Sequence, residues 1–373
     1  MIATGRSAPT QAPARPDADY LVYVASEATD KVAVVRFGPA GGRVEREVLV
    51  GMLPMDVDGP HGLAVSPDGK FWYASTAHGT PYGHLAKYTT AGDEFVGRVM
   101  LGDFPATTQV SPNGTMAFVV NFNLHGNPVP SSVSVVATHE MVEIARVPTC
   151  VMPHGSRFNP AGTKHYSACM MDDMVVEIDV SALAATRHFM LKAGSEHGSA
   201  GPPMRHGGGA HDMGGHGMDA PRAGDAGCSP TWVQPSADGA ALFVACSKSN
   251  DIVEIDVARW RMTRRIPAGP GVYNLAVTRD GRLLIGTNKR GQSVSVFEIA
   301  TGRELARLAT RRRVVHGAVV SPDDRYAFIS VEGVGSEPGT VEMIDLRTLA
   351  TIATVDVGQM AGGIDFWKTE RPR

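Results

Sequence analysis

A short apolar run, a Ser-Pro-Asp-Gly turn and a second apolar run recur along this chain, and the recurrence limits its fold more than any other feature. The first copy is PHGLAVSPDGKFWYAS at 60–75, with Leu63 and Val65 before the turn and Phe71 and Tyr73 after it. Pro presets φ at the second turn position and Gly suits the fourth, so the two runs form a β-hairpin. Drifted copies stand at 105–121, 153–169, 230–246, 272–288 and 315–330. Two more strand-like runs lie between copies, as at 251–258 and 261–269. The turn residues Pro67, Pro112 and Pro160 are 45 and 48 residues apart, and Arg279 and Pro322 are 43 apart. Four strands per period of this length is the pattern of propeller blades.

Six hairpins are complete. A seventh first strand is Ala361–Phe366, and its partner is supplied by the N-terminal run Asp19–Ala25. The expected fold is therefore all-β, a seven-bladed β-propeller closed by pairing of the N-terminal strand with the last blade, which removes free sheet edges. The chain divides into a disordered lead-in (1–17), the propeller (18–368) with a Gly/His/Met-rich insertion (193–228), and a tail (369–373). The unit "strand, SPDG, strand ending in Ser or Asn, V-x-V-I-D-like strand, I/V-x-V-G" resembles the YVTN-repeat (YncE-like) family of seven-bladed propellers. That resemblance implies the fold and leaves the chemistry open, because one scaffold hosts many functions.

Aligning the copies on their turns places His61, His154 and His316 at one equivalent position, in blades 1, 3 and 6. Ala106, Thr231, Tyr273 and Gly362 fill it in the other blades. The first strand of a blade lines the central channel. In a seven-fold ring with steps of about 51°, the three imidazoles are separated by roughly 100°, 155° and 100°. They surround the channel mouth on the face formed by the fourth-to-first and second-to-third strand loops, termed the top face. Neutral imidazole ligates zinc, copper and nickel, and three around a void leave open coordination positions. The bland reading is that His before Gly serves turn geometry.

The insertion carries His197, His206, His211 and His216 with Met204, Met213 and Met218. Imidazole with thioether suits copper in both oxidation states. A low-complexity linker is the plainer reading. His78, His84 and His125 are also placed on the top face, whereas His139, His165 and His188 are not. Met52, Met55, Met152, Met170, Met171, Met174 and Met360 fall on it too. Cys150, Cys169, Cys228 and Cys246 lie near it, as thiolate ligands or inert core residues; four in so long a chain are too few for a disulfide scaffold. Arg311–Arg313 read as a solvated run or as an attraction for an anionic substrate.

These features favour a copper-binding redox protein, a mononuclear copper-dependent oxidase with the ion on His61, His154 and His316; zinc or nickel are the other metals considered. The placement is similar to that in nitrous-oxide reductase and the selenium-binding/methanethiol oxidase family, in architecture and histidine position only. A non-catalytic copper-sequestering propeller is the alternative. Further alternatives are an interaction scaffold and a lactonase-like hydrolase. The seven-bladed lactonases related to 6-phosphogluconolactonase share histidine before the turn in some blades, but their second strands lead into an Asn-Glu pair. Here the ends read ST, NF, CM, CS, TN and SV, and the expectation is that no Glu follows to act as base. A metal ion and a small-molecule substrate are the expected partners. Net charge of −3 and sparse basic–aromatic interleaving argue against nucleic acid. No run is long enough to insert in a membrane. The N-terminus lacks a signal-peptide core, giving a cytoplasmic expectation, or a periplasmic or secreted one if a leader was removed.

Overall fold

A computed structural model describes residues 15–52, 57–76, 83–203 and 226–372. Among the described residues the strands form seven antiparallel sheets, six of four strands and one of five. The sequence-derived fold holds. Blades 1 to 6 begin at Pro60, Pro105, Pro153, Pro230, Val272 and Val314. Blade 7 takes its first strand from Ala361–Glu370 and its other three from Asp19–Ser26, Lys31–Gly38 and Gly41–Leu49. The departure from expectation lies at the insertion. Its first part, His197–Ala200, pairs with Ala184–Met190 as a fifth strand of blade 3. Glu196 and Arg265, 2.7 Å apart, fasten it to blade 4.

The turns form as their residues dictate. In blade 1 the Gly69 N–H donates to the Ser66 carbonyl at 2.8 Å, and Ser66 Oγ accepts from the Phe71 N–H at 2.9 Å. Asp68 takes the Ser66 hydroxyl at 2.6 Å and the Lys70 N–H at 3.1 Å. Blades 4 and 6 repeat this with Ser236/Asp238 and Ser321/Asp323.

Each first strand leaves the ladder at the histidine position: Pro60 pairs with Thr76, and pairing resumes only at Leu63 with Ala74. The freed backbone groups are satisfied across the blade boundary. Ser75 Oγ accepts from the Gly62 N–H and donates to the Ala106 carbonyl of blade 2, both at 2.8 Å. Thr287 links Asn274 of blade 5 to the His316 carbonyl at 2.9 and 3.0 Å. Ser330 links Gly317 of blade 6 to the Gly362 carbonyl. A Cβ on Gly62 would lie 1.8 Å from the Ala106 oxygen, which is why glycine follows the histidine there.

Ring closure is pinned by Arg36, whose side chain is 2% exposed. It meets Asp19 at 2.8 Å, Glu45 at 2.9 Å and Glu370 at 2.7 Å, joining both chain ends. All four cysteines are in disulfides, Cys150–Cys169 joining the last strand of blade 2 to the second strand of blade 3, and Cys228–Cys246 in blade 4. Closing loops of this size contributes about 3 kcal/mol each in the chain-entropy account. The thiolate-ligand and free-core readings both give way, because the residue before each first strand meets the end of the adjacent second strand. No helix among the described residues is long and apolar enough to cross a membrane.

His165, expected off the top face, stands at the start of the second strand of blade 3 in an unusual setting. It is fully buried against Phe118 and Phe158, and neither ring nitrogen has a partner. Burial pushes its pKa down to about 3. The folded ring therefore binds fewer protons than the unfolded one below pH 6.5, so its contribution is intact above that pH and drains away toward pH 3. His165→Leu removes two unpaired buried nitrogens and is expected to stabilise the protein by about 1–3 kcal/mol at pH 7. It should also flatten the acid loss of stability; urea titrations between pH 7 and 4 read both effects.

Candidate active site at the channel mouth

The three histidines converge. The His61 ring lies 5.5 Å from that of His316 and 6.1 Å from that of His154, centroid to centroid. Phe104 and Phe122 wall the same space, edge-on to His61 and His154 respectively. His125, on a second-to-third strand loop, sits against Phe104 with centroids 5.5 Å apart.

The three rings differ in state. His61 Nδ1–H donates to Glu27 Oε1 at 2.5 Å, which leaves Nε2 as an acceptor on a side chain 11% exposed. His154 is buried; its Nδ1–H donates to the Thr231 carbonyl, and its Nε2 accepts from the Tyr273 hydroxyl, both at 2.9 Å. Desolvation, with His61 adding to it, pushes His154 down to about pKa 3 and keeps it neutral. His316 is likewise held well below the usual histidine range by burial and by nearby Lys289. Its Nδ1 has no partner, and its Nε2 stands 3.9 Å from Glu332 Oε1.

Three charged groups join them. Glu27 opens a single turn of 3-10 helix directly after the second strand of blade 7. Glu332 ends the second strand of blade 6. Lys289, just past the second strand of blade 5, lies 3.3 Å from Glu332 and 4.4 Å from the Tyr273 ring centroid. Burial alone would lower the Lys289 pKa; Tyr273 and Glu332 outweigh it and raise the pKa, so the amine stays cationic. Burial raises the Glu332 pKa against the pull of Lys289.

Both glutamates correct the expectation that none follows a second strand. In blade 6, SV is followed at once by Glu332. In blade 7 the second strand comes from the other end of the chain, and Ser26 is followed by Glu27. Gly362 makes the room for Glu27. It holds the histidine position in blade 7, and a Cβ there would stand 3.1 Å from Glu27 Oε1 and 3.6 Å from His316 Nδ1.

The other candidates fare differently. His206, His211, His216, Met204, Met213 and Met218 of the insertion lie outside the described residues, as do His78 and Met55. His197 is exposed in the fifth strand of blade 3, with Nδ1 bonded to the Ser195 carbonyl. Met152 and Met170 pack on the Phe104–Phe122 wall. Arg311 and Arg312 pair with Asp356 at 3.5 and 3.6 Å. Among the described residues no group of three or more His, Cys, Asp or Glu side chains is arranged to hold a metal ion. For the three channel histidines the obstacle is visible, since both nitrogens of His154 are already spent on hydrogen bonds.

The fold and this mouth define a seven-bladed propeller with a histidine–glutamate pair at its channel. A family model described as "Lactonase, 7-bladed beta-propeller" matches residues 14–127, a segment holding both Glu27 and His61. No curated protein matches the chain. Among solved structures, the periplasmic gluconolactonase of Pseudomonas aeruginosa is similar with a TM-score of 0.68 and 19% identity, over 95% of this chain and all of that one. The hydrazine synthase of Kuenenia stuttgartiensis gives 0.61 and 20%, over 84% and 90% of the two chains. A functionally unknown protein from Desulfotomaculum acetoxidans gives 0.66 and 13%, over 93% and 98%. At such identities the likeness is one of fold.

The hydrogen bonds fix tautomers. Long-range proton–nitrogen NMR should show His61 and His154 both protonated at Nδ1, with His154 not titrating above pH 4. Glu27→Ala should release the tautomer of His61 alone.

Proposed function

We propose that the chain is a hydrolase of lactones, cyclic esters opened by water at the top of the channel. The observation that carries this reading is the Glu27–His61 pair. A carboxylate that accepts the Nδ1–H orients an imidazole as a general base through its other nitrogen. In the proposed step His61 Nε2 takes a proton from water as the water oxygen bonds to the lactone carbonyl carbon. The ring C–O bond then breaks, and the imidazolium returns the proton to the leaving alkoxide. Lys289, cationic and with a side chain 31% exposed, stabilises the negative oxygen formed between the two steps. Neutral His154 and Tyr273 hold the wall in place. The family match over the segment holding both dyad residues supports the reading.

Two disulfides further support an oxidising compartment, periplasmic or extracellular, because such bonds are rarely kept in a reducing cytosol.

A pH-stat assay over a panel of γ- and δ-lactones tests the activity. His61→Ala is expected to lower kcat by about 10²–10⁴-fold and Lys289→Met by about 10²-fold, with the fold retained. No hydrolysis above the spontaneous rate, or unchanged rates in His61→Ala, would overturn the reading.

A second reading, copper held by His61, His154 and His316 for redox chemistry, is supported by the short ring separations. It requires Tyr273 to release His154 Nε2. Elemental analysis of protein purified without a metal-affinity tag decides it. Stoichiometric copper that is lost in the triple histidine variant favours this reading, and metal-free protein that takes up no copper removes it.

A further inference from the structure

The three histidines and Arg157, Trp232 and Asn274 line a cavity of about 30 Å³ in the channel. That is room for one or two waters or a single small ion. Three positions after the histidine column, a second ring of residues faces the channel, and adjacent blades 2, 3 and 4 contribute Gln109, Arg157 and Gln234 to it. Blade 7 contributes Asp365 at the same level.

Arg157 is the anomaly in this ring. Its guanidinium lies over the Trp232 indole, 4.3 Å from the centroid, and donates to the Ser156 carbonyl at 2.8 Å. Among the described residues it has no ion pair within 4 Å. Asp365 spends its oxygens on the Val65 and Phe366 N–H groups, both at 2.8 Å. Gln109 accepts the Phe158 N–H on its Oε1 at 2.6 Å. Trp232 and Asn274 are 5% and 4% exposed, and Trp232 Nε1 and Asn274 Oδ1 have no partner. Burial lowers the Arg157 pKa to about 10, so the group remains charged at neutral pH.

A guanidinium has five N–H donors, and withdrawing its charge from bulk water is costly unless a counter-charge accompanies it. The charge of Asp365 reaches the partly buried Arg157, but its oxygens are taken by backbone N–H groups and lie outside ion-pair range, so the guanidinium donors are left to whatever fills the cavity. We propose that this cavity is a binding site for a small monovalent inorganic anion of chloride size, held by Arg157 with the unpartnered Trp232 N–H beside it. The site shares its histidine wall with the mouth, but it rests on Arg157 and Trp232 and uses neither Glu27 nor Lys289.

Crystals of the full chain soaked in sodium bromide test it by anomalous diffraction at the bromine edge. One peak beside the Arg157 guanidinium is expected; a cavity holding only water, or bromide only at other places, overturns the proposal. In solution, Tm should rise saturably when chloride replaces gluconate at constant ionic strength, because an anion bound only to the folded state stabilises it. Gluconate is too large to enter. Arg157→Met should lose that dependence, and Lys368→Met, outside the cavity, should keep it. A bromide peak without any chloride dependence of Tm marks binding at crystal concentration only and also overturns the proposal. The wild-type measurements stand even if Arg157→Met does not fold.

Discussion

The ring depends on a hydroxyl placed near the end of a second strand. Where the first strand leaves its ladder, a buried N–H and a neighbouring carbonyl lose their partners, and leaving both unmade would cost several kcal/mol. Ser75, Thr287 and Ser330 each answer both at once, accepting from their own blade and donating to the next. The bond does two things. It stitches adjacent sheets together, and it holds the histidine-position backbone against the channel so that His61 and His316 face one another across a small gap. Packing supplies most of the cohesion between blades, but these bonds set the register in which the blades meet.

On that frame the mouth separates charge by depth. His154 and His316, deepest, are kept neutral by desolvation. Lys289 and Glu332 compensate one another on one flank. Glu27 occupies the place where blade 7 has no side chain. The result is one imidazole, His61, with a carboxylate on its Nδ1–H and its Nε2 left as an acceptor.

The fold was legible because it is written many times over. A turn signature that survives drift in six copies overrides the ambiguity of any single strand, and the pairing of DYLVYVA with the last blade followed from counting. The histidine column was legible for the same reason. What escaped was whatever sits off the repeat. Glu332 is one residue beyond the motif as read, and Glu27 belongs to a blade whose strands come from opposite ends of the chain. The disulfides escaped because sequence separation says little about distance: each joins a lead-in residue to a hairpin end that the fold folds back beside it. Arg157 and Asp365 look unremarkable in their own strands, and only the ring brings them to one level.

The seam of the ring has a consequence for biosynthesis. Within the propeller, Glu27 follows the first strand to be made, His61 comes from the next blade, and the Gly362 gap that admits Glu27 comes from the last strand. Arg36 binds Asp19 and Glu370 at the same seam. The N-terminal strand has no first-strand partner while the other six blades are being made, and the mouth is complete only when the last one arrives. Chemistry at this site thus acts as a proofreader of length: a chain cut short between the end of blade 6 and Ala361 keeps six blades and all three histidines, yet lacks the wall against which the base is set.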